Sequence, residues 1–147
     1  MQEYSMTINV PCVREVMSEE VMSQPKGVRH FCQGMANASQ EMFACLDLDG
    51  KLKVIDRRLV SLGIANASLV SPREVFKGAI TNSAVAVILV HNHPSGDPEP
   101  SNDDIKTTRQ LIESGKILGI NVVDHVIIGR DPKPFYSMRE ENDCSFI

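Results

Sequence analysis

A chain of 147 residues, 42% apolar and 23% charged, can bury a core without disulfide or metal staples and reads as a single domain over 1–147, its core at about 12–130. The net charge of −4 gives no support to nucleic acid held on a basic face, and Cys12, Cys32, Cys45 and Cys144 form no C-x-x-C, which argues against a thiolate zinc site or a disulfide framework and for reduced thiols. The N-terminal segment lacks signal-peptide order and the longest apolar run, AVAVILV at 84–90, is too short to cross a bilayer, so the chain reads as soluble, without membrane contact, and cytoplasmic.

Residues 11–38 read as helical and partly amphipathic, with Pro25 suited to a first helical turn. In EMFACLDLDGKLKVIDRRLV, Phe43, Cys45 and their apolar neighbours lead to a hairpin turn at Asp49-Gly50, and LKVIDRRLV returns as a second strand. DRR at 56–58 reads as a solvated strand edge, and NASLV at 66–70 as a third strand or its end. SPREVFKGAI starts a helix on three agreeing signals: Ser71 caps, Pro72 takes the first helical position, and Glu74 completes a capping box. Val75, Phe76, Ala79 and Ile80 supply its buried stripe. AVAVILV has no wet face and reads as a central strand covered on both sides. SNDDIKTTRQLIESGKIL is a long helix with Ile105, Leu111, Ile112 and Leu118 inward, stopped at Gly119. NVVDHVIIG is one more strand, and the tail over 131–147 reads as irregular. Helices interleaved with strands indicate an α/β or α+β domain.

The chemistry concentrates in HNHPSGDPEPSNDD, residues 91–104. If the extended geometry of the preceding strand persists, His91 and His93 aim to the same side. The prolines and glycine of PSGDPEP make a stiff reversal that returns the next helix to the strand end. Asp104 then falls in that helix's first turn, where the dipole favours a carboxylate, and completes a set of two neutral histidines and one aspartate. Such a set leaves a zinc ion net positive charge and an open fourth position, which polarises water strongly. Ser101 and Asp104 also form an S-x-x-D capping box, and the two roles are compatible, since a serine hydroxyl can cap and still donate its proton to a reacting oxygen. His125, flanked by apolar residues, reads as a buried hydrogen-bonded histidine or, through Asp124, a partner behind the ligands. His30 reads as solvent-facing.

H-x-H-P, six residues, then S-x-x-D, running without a gap from His91 to Asp104, resembles the JAMM signature of JAB/MPN-domain metallopeptidases. SPREVFKGAITNSAVAVILVHNHPSGDPEPSNDDI and GINVVDHVIIG resemble more narrowly the RadC family. Longer RadC proteins carry a helix-hairpin-helix segment before this domain, and the resemblance here is to the catalytic domain standing alone. It implies an α/β (α+β) JAB/MPN-like fold, a mixed central sheet flanked by helices with cytidine-deaminase-like architecture. It also implies a hydrolase using one Zn2+ per chain to direct water at an amide, in a peptide or isopeptide bond of an unidentified peptide or protein substrate. The family spacing favours Asp104 over Asp103 as the third ligand, beside His91 and His93. The resemblance further implies an upstream glutamate as general base, and two stand available. Glu74 is engaged as a helix cap, which favours Glu41, at the head of EMFACLDLD; Ser101 would stabilise the oxyanion. A zinc deaminase would need H-x-E and P-C-x-x-C, and the sequence has neither. The alternative is a non-enzymatic module, DNA-repair-associated or scaffolding, with a structural metal.

Overall fold

The computed structural model describes residues 21–63 and 70–146. In chain order these form α1 (Pro25–Phe31), a 3-10 turn (Gln33–Asn37), β1 (Met42–Leu48), β2 (Val54–Leu62), α2 (Pro72–Thr81), β3 (Ala86–Asn92), α3 (Asn102–Leu118), β4 (Asn121–Ile128) and β5 (Phe135–Ser137). The strands make one five-stranded sheet in the order β2-β1-β3-β4-β5. Only β3 and β4 run parallel, joined by α3 as the crossover such a pair requires; the other neighbours are antiparallel. The domain is therefore a mixed α+β layer structure of the class the sequence indicates.

Two apolar cores lie on opposite faces of the sheet. Val28, Cys32, Met35 and Ala36 pack on one side of β1 and β3 against Met42, Ala44, Leu46, Ile88 and Val90. Val75, Phe76 and Ala79 of α2 and Leu111 and Ile112 of α3 pack on the other, against Phe43, Cys45, Val87 and Leu89. Every residue of β1 and of β3 is buried, which is why both read as continuous apolar runs rather than alternating ones.

The ends of α3 follow from local chemistry. Ser101 Oγ accepts from Asp104 N at 3.1 Å and Asp104 Oδ2 accepts from Ser101 N at 2.8 Å, a reciprocal capping box. Gly119 ends the helix in the left-handed conformation at φ 73°. At α2 the cap is one-sided: Ser71 Oγ accepts from Glu74 N at 3.4 Å, without the return bond expected from Glu74.

Several expectations are corrected. The helix expected over 11–38 is confined, among the described residues, to α1 and the 3-10 turn. Gln24 before Pro25 is extended (φ −138°, ψ 146°), because the proline ring excludes helical geometry there, and Val21 pairs instead with Lys53. Residues 11–20 of that helix, and 66–69 of the expected third strand, lie outside the described residues. The β1–β2 hairpin forms, but its left-handed residue is Leu52 (φ 61°) rather than Gly50, and Asp49 Oδ1 accepts from the N–H groups of Lys51 and Lys53. Ile80 and Leu118 are exposed at 57% and 48%, since each lies in a last turn that has passed beyond the covered face. Ile105 is only half-buried. The tail contributes β5, paired with β4 from Val126↔Ser137 to Ile128↔Phe135. DRR is not a solvated edge: the Arg58 guanidinium bonds Asp47 at 2.6 and 2.8 Å and the Val75 carbonyl at 2.7 Å, while Arg57 is buried over the Phe31 ring.

One irregularity positions the site. Val87 pairs with Val122 but Ile88 pairs with Asp124, so β4 carries an extra residue, Val123. The bulge resets the alternation, and His125, opposite Leu89, faces α3 as Val122 does.

Candidate metal centre

His91 is the penultimate residue of β3 and is fully buried, while His93 lies one step past the strand and is half-buried. Period-two alternation sends both imidazoles to the α3 face, where the loop from Pro94 to Pro100 returns the chain. Asp104, in the first turn of α3 and 2% exposed, is fixed by its own capping box. His91 Nε2 and His93 Nε2 lie 2.9 Å apart. Asp104 Oδ1 is 3.5 Å from the first and Oδ2 3.3 Å from the second. Glu41, immediately before β1, brings Oε1 within 3.8 Å of His91 Nε2, and Glu41, His91 and His93 offer three donor atoms within 4.8 Å of one another. Ligand atoms around a tetrahedral zinc with bonds of about 2.0–2.1 Å stand about 3.3 Å apart, so the edges of this cluster have the scale of a coordination sphere.

The donor chemistry points the same way. His93 Nδ1 lies 2.9 Å from the carbonyl oxygen of Asp97; a carbonyl only accepts, so Nδ1 carries the hydrogen and a neutral His93 has a bare Nε2. His91 Nδ1 is engaged behind the site by His125 Nε2 at 2.7 Å, which leaves His91 Nε2 to face forward. Two imidazole nitrogens and a carboxylate aimed at one point are groups that could hold a cation. Burial would raise the Asp104 carboxyl, but His91, His93 and the Ser101 N–H outweigh it and hold it far below the usual range. Burial lowers His91. In His93 burial acts downward too, but Asp104 and the Asp97 carbonyl outweigh it and raise the ring. Burial pushes the Glu41 carboxyl up, with His93 opposing and Asp104 adding to the rise.

Ser101 is exposed at the end of the cluster; its oxygen accepts from Asp104 N, and its own proton remains to be donated. Glu74 lies exposed at the start of α2 and Asp103 exposed in the first turn of α3; neither joins the cluster. His30 faces solvent, as expected. His125 is fully buried and contacts His91 directly rather than through Asp124. The Asp124 carboxylate instead ties down the tail, accepting from Ser137 Oγ at 2.6 Å and Arg139 N at 3.1 Å.

Two further residues belong to the site and were not singled out from sequence. Asn92, between the histidines, points to the opposite face. Its Oδ1 accepts from Met42 N at 2.6 Å and its Nδ2 donates to the Gln40 carbonyl at 3.1 Å. It therefore staples the residues on either side of Glu41, whose own carbonyl accepts from Gly63 N at 2.8 Å. The H-N-H alternation itself carried that signal, because one step along a strand reverses the face. Phe43, paired with His91 across β1 and β3, stacks on the His91 ring at 5.8 Å and meets His125 edge-on at 5.5 Å. Among the described residues Cys45 and Cys144 are free thiols, and no helix is long and apolar enough to cross a membrane.

Comparison with known proteins bears on this arrangement. Residues 22–143 match the family model of the RadC-like JAB domain. The chain is 47% identical over 121 residues to a UPF0758 protein of Bacillus velezensis, covering 82% of this chain and 52% of that protein. It is 45% identical over 131 residues to one of Halalkalibacterium halodurans, covering 88% and 56%, and 50% identical over 122 residues to one of Bacillus licheniformis, covering 82% and 54%. The chain thus spans about half the length of the curated relatives it matches.

Proposed function

Since the chain belongs to the RadC-like JAB domain family, we propose that it is a zinc-dependent hydrolase of the JAMM metallopeptidase type, acting on an amide in a peptide or isopeptide bond. One observation carries the reading: two imidazole Nε2 atoms and the Asp104 carboxylate converge on one point, with a second carboxylate, Glu41, 3.8 Å from His91 Nε2.

In this reading His91, His93 and Asp104 hold one zinc per chain. When bound, zinc supplies a polarised water that ionises near neutral pH and a Lewis-acid contact for a carbonyl oxygen. Glu41 takes the proton of the attacking water on a carboxylate oxygen and later delivers it to the leaving amine nitrogen. Burial raises its carboxyl, which brings it closer to the working pH than a solvated glutamate, as a general base requires. Ser101, whose oxygen is engaged by Asp104 N, donates a hydrogen bond to the substrate oxygen as negative charge develops there. The peptide or protein that is cleaved would be met in the cytoplasm.

The test starts with metal analysis. Purified protein should carry about one zinc per chain, and His91→Ala, His93→Ala and Asp104→Ala should each release it. Glu41→Gln should keep zinc and fold while abolishing cleavage in a peptide-library screen; Glu74→Gln should leave turnover nearly intact at a cost of at most about 1 kcal/mol. Full zinc in all three ligand variants would refute the site, and an inactive Glu74→Gln beside an active Glu41→Gln would reassign the base.

A further inference from the structure

Behind His91, on the side away from Glu41, a buried chain of hydrogen bonds runs back to the start of α3. His91 Nδ1 meets His125 Nε2 at 2.7 Å, His125 Nδ1 meets Thr108 Oγ1 at 2.6 Å, and Thr108 Oγ1 bonds the Asp104 carbonyl at 2.7 Å. His91, His125 and Thr108 are all 0% exposed, so no solvent proton substitutes for those shared within the chain.

The order of the hydrogens follows from donor and acceptor counts. A threonine hydroxyl has one proton, and a carbonyl oxygen only accepts. With the Thr108 proton on the Asp104 carbonyl, the short contact to His125 requires the hydrogen to sit on His125 Nδ1. A neutral His125 then presents a bare Nε2, and His91 must supply the hydrogen between the rings from Nδ1. The lone pair of His91 is thereby left on Nε2, facing His93 and Asp104. Reversed polarity would put the Thr108 proton on His125, remove the bond to Asp104, and place a hydrogen on His91 Nε2, where it would block a cation. The remaining neighbour of the hydroxyl, Met138 Sδ at 3.6 Å, is a weak acceptor that competes poorly for the proton.

We propose that His125 and Thr108 are positioning residues that lock His91 in the tautomer with its hydrogen on Nδ1, keeping Nε2 open for the metal. The proposal rests on the reading of the cluster as a metal centre. The chain ends on the backbone of Asp104, the residue whose side chain completes the ligand set. His91 and Asp104 are therefore joined twice, through the front of the site and through its back. Phe43, touching both rings, holds the imidazoles in the geometry the chain needs.

The test combines ring nitrogen NMR with zinc titration. In wild-type protein without added metal, His91 and His125 should both show a protonated Nδ1 and a bare Nε2, and zinc should shift His91 Nε2 while His125 keeps its pattern. Thr108→Val keeps the shape and removes the hydroxyl; it should stay folded and lose zinc affinity by about 10–100-fold, the usual effect of losing such a support. Thr108→Ser should restore binding to within a few-fold of wild type, which a general packing role would not produce. A zinc-loaded protein with the His125 hydrogen on Nε2, or Thr108→Val binding zinc as tightly as wild type, would overturn the proposal and leave the metal centre standing. Wild-type protein that takes up no zinc would sink the metal centre and this role together.

Discussion

Replacing Asn92 with alanine removes both staples that flank Glu41, and the structure sets the size of the loss. The Met42 N–H that donates to Asn92 belongs to a residue 1% exposed, so it stays dry and unpaired, a penalty of about 1–3 kcal/mol. The Gln40 carbonyl belongs to an exposed residue and regains water, so that bond counts for about 0.5–1 kcal/mol. Together the change should cost about 2–3 kcal/mol. For 147 residues, each kcal/mol moves the melting temperature by about 3 °C, giving a fall of about 6–9 °C. Asn92→Asp keeps the acceptor for Met42 N but sets a second oxygen against the Gln40 carbonyl at a position 1% exposed, so water does not relieve the repulsion and its drop should be no smaller than that of alanine. The assay is thermal unfolding by circular dichroism on zinc-free protein, followed by zinc titration. Zinc affinity should change less than the Glu41-dependent rate, because Asn92 anchors the glutamate's neighbours rather than the ligands. An alanine variant melting within 1 °C of wild type would show that Met42 finds another acceptor and that the staple carries no weight.

Two further expectations concern the scaffold. Gly115→Ala should destabilise by about 2 kcal/mol despite the better helix propensity of alanine, because an added Cβ would press on the Ile120 carbonyl and stand 3.3 Å from both Phe76 and Val122; a raised denaturant midpoint would refute the close approach. Chelation should lower the melting temperature by several degrees, in line with about 2.7 kcal/mol for a ligand at a hundredfold its Kd, without unfolding at room temperature, since the two apolar cores form without the cluster. Loss of the far-UV circular dichroism signal on chelation would make the metal structural.

The parts of the site legible in sequence are those set by short-range geometry. His91 and His93 share a face because strands alternate, and Asp104 occupies the first turn because Ser101 caps it; both inferences span a few residues. The choice of Glu41 over Glu74 rested on Glu74 closing a capping box, which the structure does not keep. What sets Glu74 aside is its exposed place on α2, while the sheet order puts β1 beside β3. What sequence did not reveal depends on pairing across long separations. Arg58 looks like an edge charge until β1 brings Asp47 beside it. Three residues of tail become β5 only because β4 offers an open edge. The partnership of His125 with His91 spans 34 positions and needs a bulge that apolar NVVDHVII does not announce. Ile80 and Leu118 were misplaced for the opposite reason: periodicity marks a helix's apolar stripe but not where the neighbouring layer ends.

The extra residue at Val123 gives the domain a parity. Ahead of it, β4 is in step with β3 through Val87↔Val122; beyond it, the step has shifted by one and Leu89 faces His125. If β4 ran on from Val87↔Val122 without a bulge, Val123 would stand opposite Ile88, Asp124 opposite Leu89 and His125 opposite Val90, and every following position would exchange faces. His125 would then turn toward the core beneath α1, and its neighbours would meet the back of His91 with aliphatic side chains or a carboxylate. Deleting Val123 itself removes the bulge and leaves simple alternation from Val122, so Asp124 stays opposite Ile88 and His125 opposite Leu89. A variant lacking Val123 should therefore still bind zinc, and loss of zinc from that variant, folded, would show that the bulge itself and not only the face it sets supports the site.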